Sequence, residues 1–539
     1  MSKGVALLFF VAMAVLHSWP LASDPLHLTR LDNDDAALNT WVIAWVAHIL
    51  PRHPLQLFEA PIFYPEPHTL AYSEHLLVPA LLGAPLLWLG ASPVLVHNLL
   101  LIAGLTLSGW SLYLVMVRWT GIQGAAVVAG LLYAFNAHAL TRFVHLQAFH
   151  VWLLPPMLYA FDRVLSGRTS HAGWRHVLLL VATFVGQALS SNYLMVFSAV
   201  SLAAVALVRV RDWAAPSRSA TRIQLAVAAL ASVVMLTPFL YPYYEVGRGG
   251  SLTHTFAEIS HYSASWRDYL ATGGRLHFEW WSRRFMTDSA LFPGLLALVL
   301  AAIAIGSGEL RRNAPARMAA TIAIVGVAFS FGTTLPGYWW LHQHVPLLGA
   351  LRNVERWGWL ALAGIAILGG FGTAVIGRWI AARQADRAWP ILVTTLCMVV
   401  TIEALRAPVA FTQFGGVPRL YEPLADDESV VLAEFPFYAG QAWSQNGRYL
   451  LNNTRYFKPL VNGYSSYWPP PWQARAQVLE SFPSTAAVET LRALGTTHIT
   501  VHGEAFARRH GDAALAAVDD VPGLTLLNDE AGIKLYRLK

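Results

Sequence analysis

From Gly4 to Leu405 the chain is a succession of apolar blocks, most of them long enough to cross a hydrocarbon core, for which roughly 20 mostly apolar residues suffice. Only 13% of the residues are charged, 55% are hydrophobic and the mean hydropathy is +0.45, which belongs in lipid rather than in water. The blocks read as spans near residues 4–22, 94–117, 122–137, 148–166, 176–190, 192–209, 223–241, 290–306, 318–335, 357–377 and 389–405. Tryptophan and tyrosine often stand at their edges, as in Trp339-Trp340, Trp357 and the Tyr241 to Tyr244 cluster, and read as interface anchors.

Orientation follows from the basic residues. Arginines recur at Arg118, Arg163 to Arg175, Arg209 to Arg222, Arg311 to Arg317 and Arg378 to Arg387, while the intervening loops are rich in His, Tyr, Asn and Asp. The positive-inside rule makes those five clusters cytoplasmic. The run Gly4 to Leu21 is followed by no convincing small-x-small cleavage site, so it is read as a retained first helix with a cytoplasmic N-terminus. Eleven crossings then leave the C-terminus outside. Leu76 to Leu89, about 14 residues, is short for a span and is read as re-entrant or interfacial. The net charge of +6 is accounted for by these orienting loops, so nucleic acid is not an expected partner. The single cysteine, Cys397, sits inside an apolar block and permits neither an intrachain disulfide nor a cysteine-based metal site.

The expected fold is therefore mainly α: about 11 membrane helices plus one re-entrant or interfacial segment over 1–406, with a large first extracytoplasmic loop over 23–75. Over 407–539 the pattern changes to a strand-like Ser429 to Phe437, a helical Ala486 to Leu494, a strand-like His498 to His502, and a terminal pair at Leu524 to Leu527 and Ile533 to Leu538. This predicts a soluble extracytoplasmic α/β domain.

The first loop concentrates titratable groups: Asp24, Asp32, Asp34, Asp35, His48, Glu59, Glu66, Glu74 and His75. Within it, Asn39 to Leu50 carries Trp41 and Trp45 one turn apart and is predicted to be an amphipathic helix lying in the interface.

Specific stretches carry a family likeness: Leu31-Asp-Asn-Asp-Asp35, Leu38-Asn-Thr-Trp41 with Ala44-Trp45, Leu57-Phe-Glu-Ala-Pro-Ile-Phe-Tyr-Pro65 and Thr69-Leu-Ala-Tyr-Ser-Glu-His75. Thr141-Arg-Phe-Val-His-Leu-Gln147 with Trp152 and Pro155, Val345-Pro346 to Leu351-Arg352 with Arg356, Phe435-Pro-Phe437 and Asn462-Gly-Tyr464 extend it over most of the chain. These segments resemble bacterial multi-span membrane proteins related to GT-C-fold glycosyltransferases, including the YfhO-like group. The chain departs from that pattern at Asp32 to Asp35, where relatives carry two acidic residues separated by small ones.

The resemblance implies an inverting glycosyltransferase in the cell membrane. It would move a sugar from a polyprenyl-phosphate-linked donor to a cell-envelope or lipid-linked acceptor on the extracytoplasmic side. Such chemistry wants a carboxylate to take the acceptor's proton and fixed positive charge for the departing lipid phosphate. Asp35 and Asp32 are the catalytic candidates, Arg142, His145 and Arg352 the donor-phosphate contacts, and Glu74, His75, Gln147 and Tyr193 the weaker substrate contacts. His138, His145 and His150 lack a tight ligand spacing, so neither a metal nor a cofactor is indicated.

Each candidate has a plainer reading. Asp32, Asp34 and Asp35 can cap a helix beginning near Ala36, and Glu74-His75 can mark a helix entry. Arg142 can snorkel to headgroups. Arg352, Glu355 and Arg356 can ion-pair one turn apart or reach a lipid phosphate. The aromatic run Gly463 to Trp472 can stack on sugars or pack against a sheet. A transporter or flippase of lipid-linked sugars is the rival function, although Glu403 is one of few charges within a span and no internal repeat is evident. A non-catalytic membrane scaffold is the third.

Overall fold

The apolar blocks wind into helices because a backbone that meets no water must bond to itself. The structure, a computed structural model, describes all residues except 1, 31, 32, 168–170, 249–251, 253, 288 and 386, together with the side chains of 171, 172, 346 and 347. The main helices are α1 Lys3–His17, α2 Asp34–Ile49, α3 Leu77–Trp88, α4 Pro93–Thr120, α5 Gln123–Ala134, α6 Leu154–Leu165, α7 His171–Ser190, α8 Asn192–Val208, α9 Ser219–Arg248, α10 Leu295–Gly306, α11 Ala314–Ser330, α12 Gly358–Ala382 and α13 Ala388–Ala404. Later in the chain come α14 Gly447–Asn453, α15 Pro470–Leu479 and α16 Thr485–Ala493, with strands β1 Leu432–Phe435, β2 His498–His502, β3 Leu524–Glu530 and β4 Ile533–Leu538. Among the described residues four stretches, Pro93–Thr120, Gln123–Thr141, Pro216–Arg248 and Val354–Ala382, are long and apolar enough to cross a membrane by length and composition. The chain thus has several apolar helices of membrane type and a small C-terminal mixed sheet.

Two compact units emerge. The first comprises Met1–Ser23, Leu99–Pro238 and Thr253–Ala410. Its centre is α12, which packs against α5, α10 and α11. Small residues set these approaches: a Cβ on Gly326 would strike the Ala361 backbone, and one on Gly372 would strike the Leu300 carbonyl. Trp357, expected at the interface, is instead fully buried, its ring against Phe197 and Phe329. Trp340, Tyr241 and Tyr244 are exposed.

Buried charges in this unit are matched. Arg209 on the C-terminal side of α8 holds Asp162 of α6 at 2.6 Å, and Arg378 pairs with Glu309. Glu403 near the end of α13 accepts the N–H groups of Leu295 and Leu296 at 2.9 and 3.1 Å and pairs with His277 at 3.0 Å. It therefore caps α10, whose first amides have no partner within their own helix.

The second unit comprises Asp24–Asn98, Phe239–Leu252 and Phe411–Lys539, so the first loop groups with the C-terminal residues. Its sheet has the order β1-β2-β4-β3, with β1 parallel to β2 and the other pairs antiparallel. β1 is shorter than the stretch Ser429 to Phe437 because Pro436 has no N–H to extend the ladder. Within β1, fully buried Glu434 accepts hydrogen bonds from Tyr421 at 2.7 Å and Asn452 at 3.0 Å and pairs with His502 at 2.7 Å. One carboxylate thus ties β1, β2 and α14 together, and its lone pairs are used rather than stranded.

Helix α2 overturns the interfacial expectation for Asn39 to Leu50. Thirteen of its sixteen residues are buried, between α3 and α14. Its positions are apolar all round rather than along one stripe, the pattern of a core helix. The Trp41 indole donates to Asn453 at 3.1 Å and that of Trp45 to the Leu57 carbonyl at 2.9 Å. The segment Leu76 to Leu89 is the twelve-residue α3, about 18 Å long at ~1.5 Å per residue, against a hydrocarbon core of about 30 Å.

Candidate functional site

In the first unit the chain leaves α5, and Asn136 starts the short helix Ala137–Thr141 by accepting the Ala139 N–H at 3.0 Å. It then runs irregularly to α6, carrying Arg142, His145 and Gln147. Non-helical backbone at such a place is tolerated where protein buries it or where it lines a cavity. Both hold here. Arg142, His145 and Gln147 line a cavity of about 30 Å³ together with His138, Tyr193 of α8, Arg356 and Trp359 of α12.

The electrostatics of this cavity are positive. Arg142, with 11% of its side chain exposed, donates to Glu355 at 3.3 Å and to Ser289 at 3.1 Å. The Arg356 guanidinium lies 4.7 Å over the Tyr193 ring, and the Tyr193 hydroxyl accepts the Asn353 N–H at 3.1 Å. Among the described residues, the Arg142 and Arg356 guanidiniums both act on the Glu355 carboxylate. Burial holds His145 well below its ordinary range, and the charges of Arg356, Arg142, His138 and Arg352 add to the effect. His145 is neutral near pH 7 and serves as a hydrogen-bonding group, not as a further cation. His138 Nδ1, Gln147 Oε1 and Trp359 Nε1 are buried and meet no hydrogen-bond partner among the described residues. Leaving such groups unpaired costs about 1–3 kcal/mol each, and a polar ligand would satisfy them.

Four sequence candidates therefore converge: Arg142, His145, Gln147 and Tyr193. Arg352 does not line the cavity. Its Nε donates to Asn353 at 3.1 Å and its guanidinium lies 5.3 Å over Tyr262. Where two readings stand open for Arg352, Glu355 and Arg356, the ion pair that Glu355 makes among the described residues is with neither neighbouring arginine but with Arg142, while the Arg356 charge also acts on it. His138 and Trp359 were not singled out for this site. Their spacing offered a signal, His138 lying one helical turn before Arg142 and Trp359 one turn after Arg356.

The acidic turn lies in the second unit. Asp32 is outside the described residues. Asn33 is the residue that caps α2, its side chain accepting the Asp35 N–H at 2.9 Å, with Asp34 and Asp35 in the first turn. The Tyr464 hydroxyl donates to Asp35 Oδ1 at 2.7 Å, and Trp443 packs on both Tyr464 and Trp468 at 5.0 and 4.5 Å. Burial raises the Asp34 carboxyl above the usual range, against a hydrogen bond from Ser444 and the charge of Arg448, while the Asp35 charge adds to the rise. Trp472, from the same aromatic run as Tyr464, is fully buried and its indole donates to the Val461 carbonyl at 2.8 Å, so it packs rather than presents a face.

Glu74 and His75 also belong to this unit. Glu74 is half-buried. His75 is buried against Phe58, Phe239 and Tyr243, and its Nδ1 accepts the Leu77 N–H at 3.2 Å at the start of α3. Burial lowers its pKa to about 4. Among the described residues no group of three His, Cys, Asp or Glu side chains is placed to hold a metal ion.

No family model matches the sequence, and no curated protein does either. Solved structures do. The chain superposes over 100% of its length on the arabinofuranosyltransferase AftD from Mycobacteria, with a TM-score of 0.57 and 17% identity. It spans 40% of that protein's length. It covers 98% of ArnT from Cupriavidus metallidurans bound to undecaprenyl phosphate, with a TM-score of 0.51 and 13% identity. It covers 74% of the oligosaccharyltransferase AglB from Archaeoglobus fulgidus, in complex with an inhibitory peptide and a dolichol-phosphate, with a TM-score of 0.52 and 12% identity. The fold is thus like that of GT-C membrane glycosyltransferases. The YfhO-like likeness is finer than these superpositions reach.

Proposed function

We propose that this protein is an inverting glycosyltransferase of the cell membrane, moving a sugar from a polyprenyl-phosphate-linked donor to a cell-envelope or lipid-linked acceptor on the extracytoplasmic side. The observation that carries this reading is the cavity lined by Arg142, Arg356, His145 and Gln147, in which three buried polar atoms, on His138, Gln147 and Trp359, meet no partner among the described residues. Anion binding with hydrogen bonds to spare is what a sugar phosphate asks of a site. The fold likeness to GT-C proteins supports the same class.

In this reading the acceptor hydroxyl gives its proton to a carboxylate, Asp35 or Asp32. Its oxygen bonds to the anomeric carbon from the face opposite the phosphate as the bond from that carbon to the phosphate oxygen breaks. The electron pair leaves with the lipid phosphate, whose charge Arg142 and Arg356 balance while neutral His145 and Gln147 hydrogen-bond. Tyr193, which lines the same cavity, is a further substrate contact. A volume of about 30 Å³ holds roughly one water, so binding of the donor requires the lining side chains to rearrange.

The test is transfer from radiolabelled polyprenyl-phosphate sugars to endogenous acceptors in reconstituted vesicles, comparing wild type with Arg142→Gln and Asp35→Asn. Transfer that both substitutions abolish supports the assignment. Absence of transfer from every donor, with labelled lipid still crossing the bilayer, would replace it with the flippase reading.

A further inference from the structure

The second unit contains a groove of about 950 Å³, at the upper end of the usual ~300–1,000 Å³ for ligand sites. It is built on the C-terminal end of α2, the turn from α3 to α4, the Gly415-Gly416 loop and the segment after α14. His48, near this end of α2, stands about 20 Å along the helix from Asp35 at ~1.5 Å per residue. The groove is therefore not the acidic turn.

Its lining divides by chemistry. Among the described residues that line it there is no Asp or Glu, while Arg52, Arg455, His27 and His48 do. Arg52 donates to the His48 carbonyl at 2.7 Å, Arg455 stands 4.0 Å from Glu422, and His27 is 2.8 Å from Asp24. The His48 ring stacks on Phe457 at 4.1 Å, and burial, then the charges of Arg52 and Lys458, lower its pKa to about 4. The positive charge at the groove is accordingly that of the two arginines, both exposed.

The other wall is apolar and leads onto α3. Leu81, Leu82, Leu86, Trp88 and Leu89 are exposed, Leu89 at 85%, and no charged side chain occurs from Leu76 to Val96. A cluster of exposed leucines on one helix is stable in hydrocarbon and not in water. Trp88 is fixed there by its indole, which donates to the Ala47 carbonyl at 2.9 Å. An apolar track thus runs from a lipid-facing helix to a groove edged by two arginines.

We infer that this groove binds an anionic membrane phospholipid, its phosphate head between Arg52 and Arg455 and an acyl chain along α3 past Trp88. The groove shares no lining residue with the Arg142 cavity, and its assignment does not depend on the proposed sugar transfer. Its occupant is a lipid already in the bilayer, so it couples the unit that holds the acidic turn to membrane composition.

Native mass spectrometry of the detergent-purified full chain, titrated with phosphatidylglycerol, phosphatidylcholine, undecaprenyl phosphate or inorganic phosphate, tests this. Phosphatidylglycerol is expected to bind roughly thirtyfold more tightly than phosphatidylcholine, the effect of two basic side chains near an anionic headgroup. Arg52→Gln with Arg455→Gln removes that preference, and Trp88→Ala weakens both lipids. Equal binding of the two phospholipids, or a preference that survives the double substitution, overturns the inference. So does displacement of phosphatidylglycerol by equimolar undecaprenyl phosphate, which assigns the groove to the donor, or by inorganic phosphate, which removes the acyl chain from recognition. Hydrogen exchange of wild type gives a readout independent of any variant: phosphatidylglycerol must slow residues 87–94 and 451–457 more than phosphatidylcholine does.

Discussion

Replacing Arg142 by Gln separates support of the fold from capture of a donor. Arg142 and Glu355 have 11% and 5% of their side chains exposed, so the substitution leaves a buried carboxylate without its ion pair. Breaking such a pair from one side costs about 3–5 kcal/mol, and the neighbouring Arg356 places this case at the lower end, about 3 kcal/mol. Adding Glu355→Gln removes the stranded charge, and the double variant should return to within about 1 kcal/mol of wild type, recovering roughly 2 kcal/mol of the loss. Donor affinity should not return, because a hydrogen bond to a charged partner worth about 1.5–3 kcal/mol remains lost, a weakening of roughly tenfold to a hundredfold. Thermal unfolding in detergent measures the first quantity, and retention of a labelled polyprenyl-phosphate sugar the second. A double variant that recovers both stability and donor binding would show Arg142 to be structural only. A single variant costing less than about 1 kcal/mol would refute the buried ion pair itself.

Three other perturbations have definite outcomes. Glu403→Gln loses the charged cap of α10 and the His277 pair, so stability should fall by about 1–3 kcal/mol in a thermal melt while lipid scrambling in vesicles stays unchanged. Tyr464→Phe removes one hydrogen bond to Asp35 and should slow initial transfer rates less than about tenfold, whereas Asp35→Asn should slow them by more than about a hundredfold; equal losses would deny Asp35 the role of base. His75, with its folded pKa lowered from 6.5 to about 4, is neutral when folded, and between those values the unfolded chain binds more protons. Stability should therefore fall as pH drops from 6.5 toward 4, by about 3 kcal/mol in all, and melts of His75→Gln between pH 7 and 5 should lose much of that slope.

Helix positions were legible because their causes are local. The stretch 192–209 becomes Asn192–Val208, and 389–405 becomes Ala388–Ala404, since a long apolar run ending in Arg or a polar turn needs no distant partner to be read. His498–His502 appears as expected for the same reason. The burial of α2 was not legible. With nearly every position apolar, spacing names no face, and only α3 and α14 reveal that all faces are covered. Its cap illustrates a smaller gap: the plainer reading of the acidic run had an aspartate capping the helix, whereas Asn33 supplies the cap and Asp34 and Asp35 stand in the first turn. Glu355 had two arginines within a turn and chose a third 213 residues away, a choice made by tertiary geometry alone. His138 and Trp359 join the cavity by the same route.

Charge accounting within the first unit also bears on the rival functions. A pathway through the membrane needs ionisable groups that exchange partners as the cargo moves. Here Asp162 is held by Arg209, Glu309 by Arg378, and Glu403 by His277 and two helix amides, each committed to joining one helix or loop to another. The cavity beside Arg142 differs in kind, because among the described residues the Arg142 and Arg356 guanidiniums stand near a single carboxylate, that of Glu355, and buried positive charge is costly unless an anion meets it. In the proposed reading, the Arg356 guanidinium over Tyr193 is the charge available to a ligand. That charge is fixed rather than mobile, which suits stabilising a phosphate as it departs and not passing one onward.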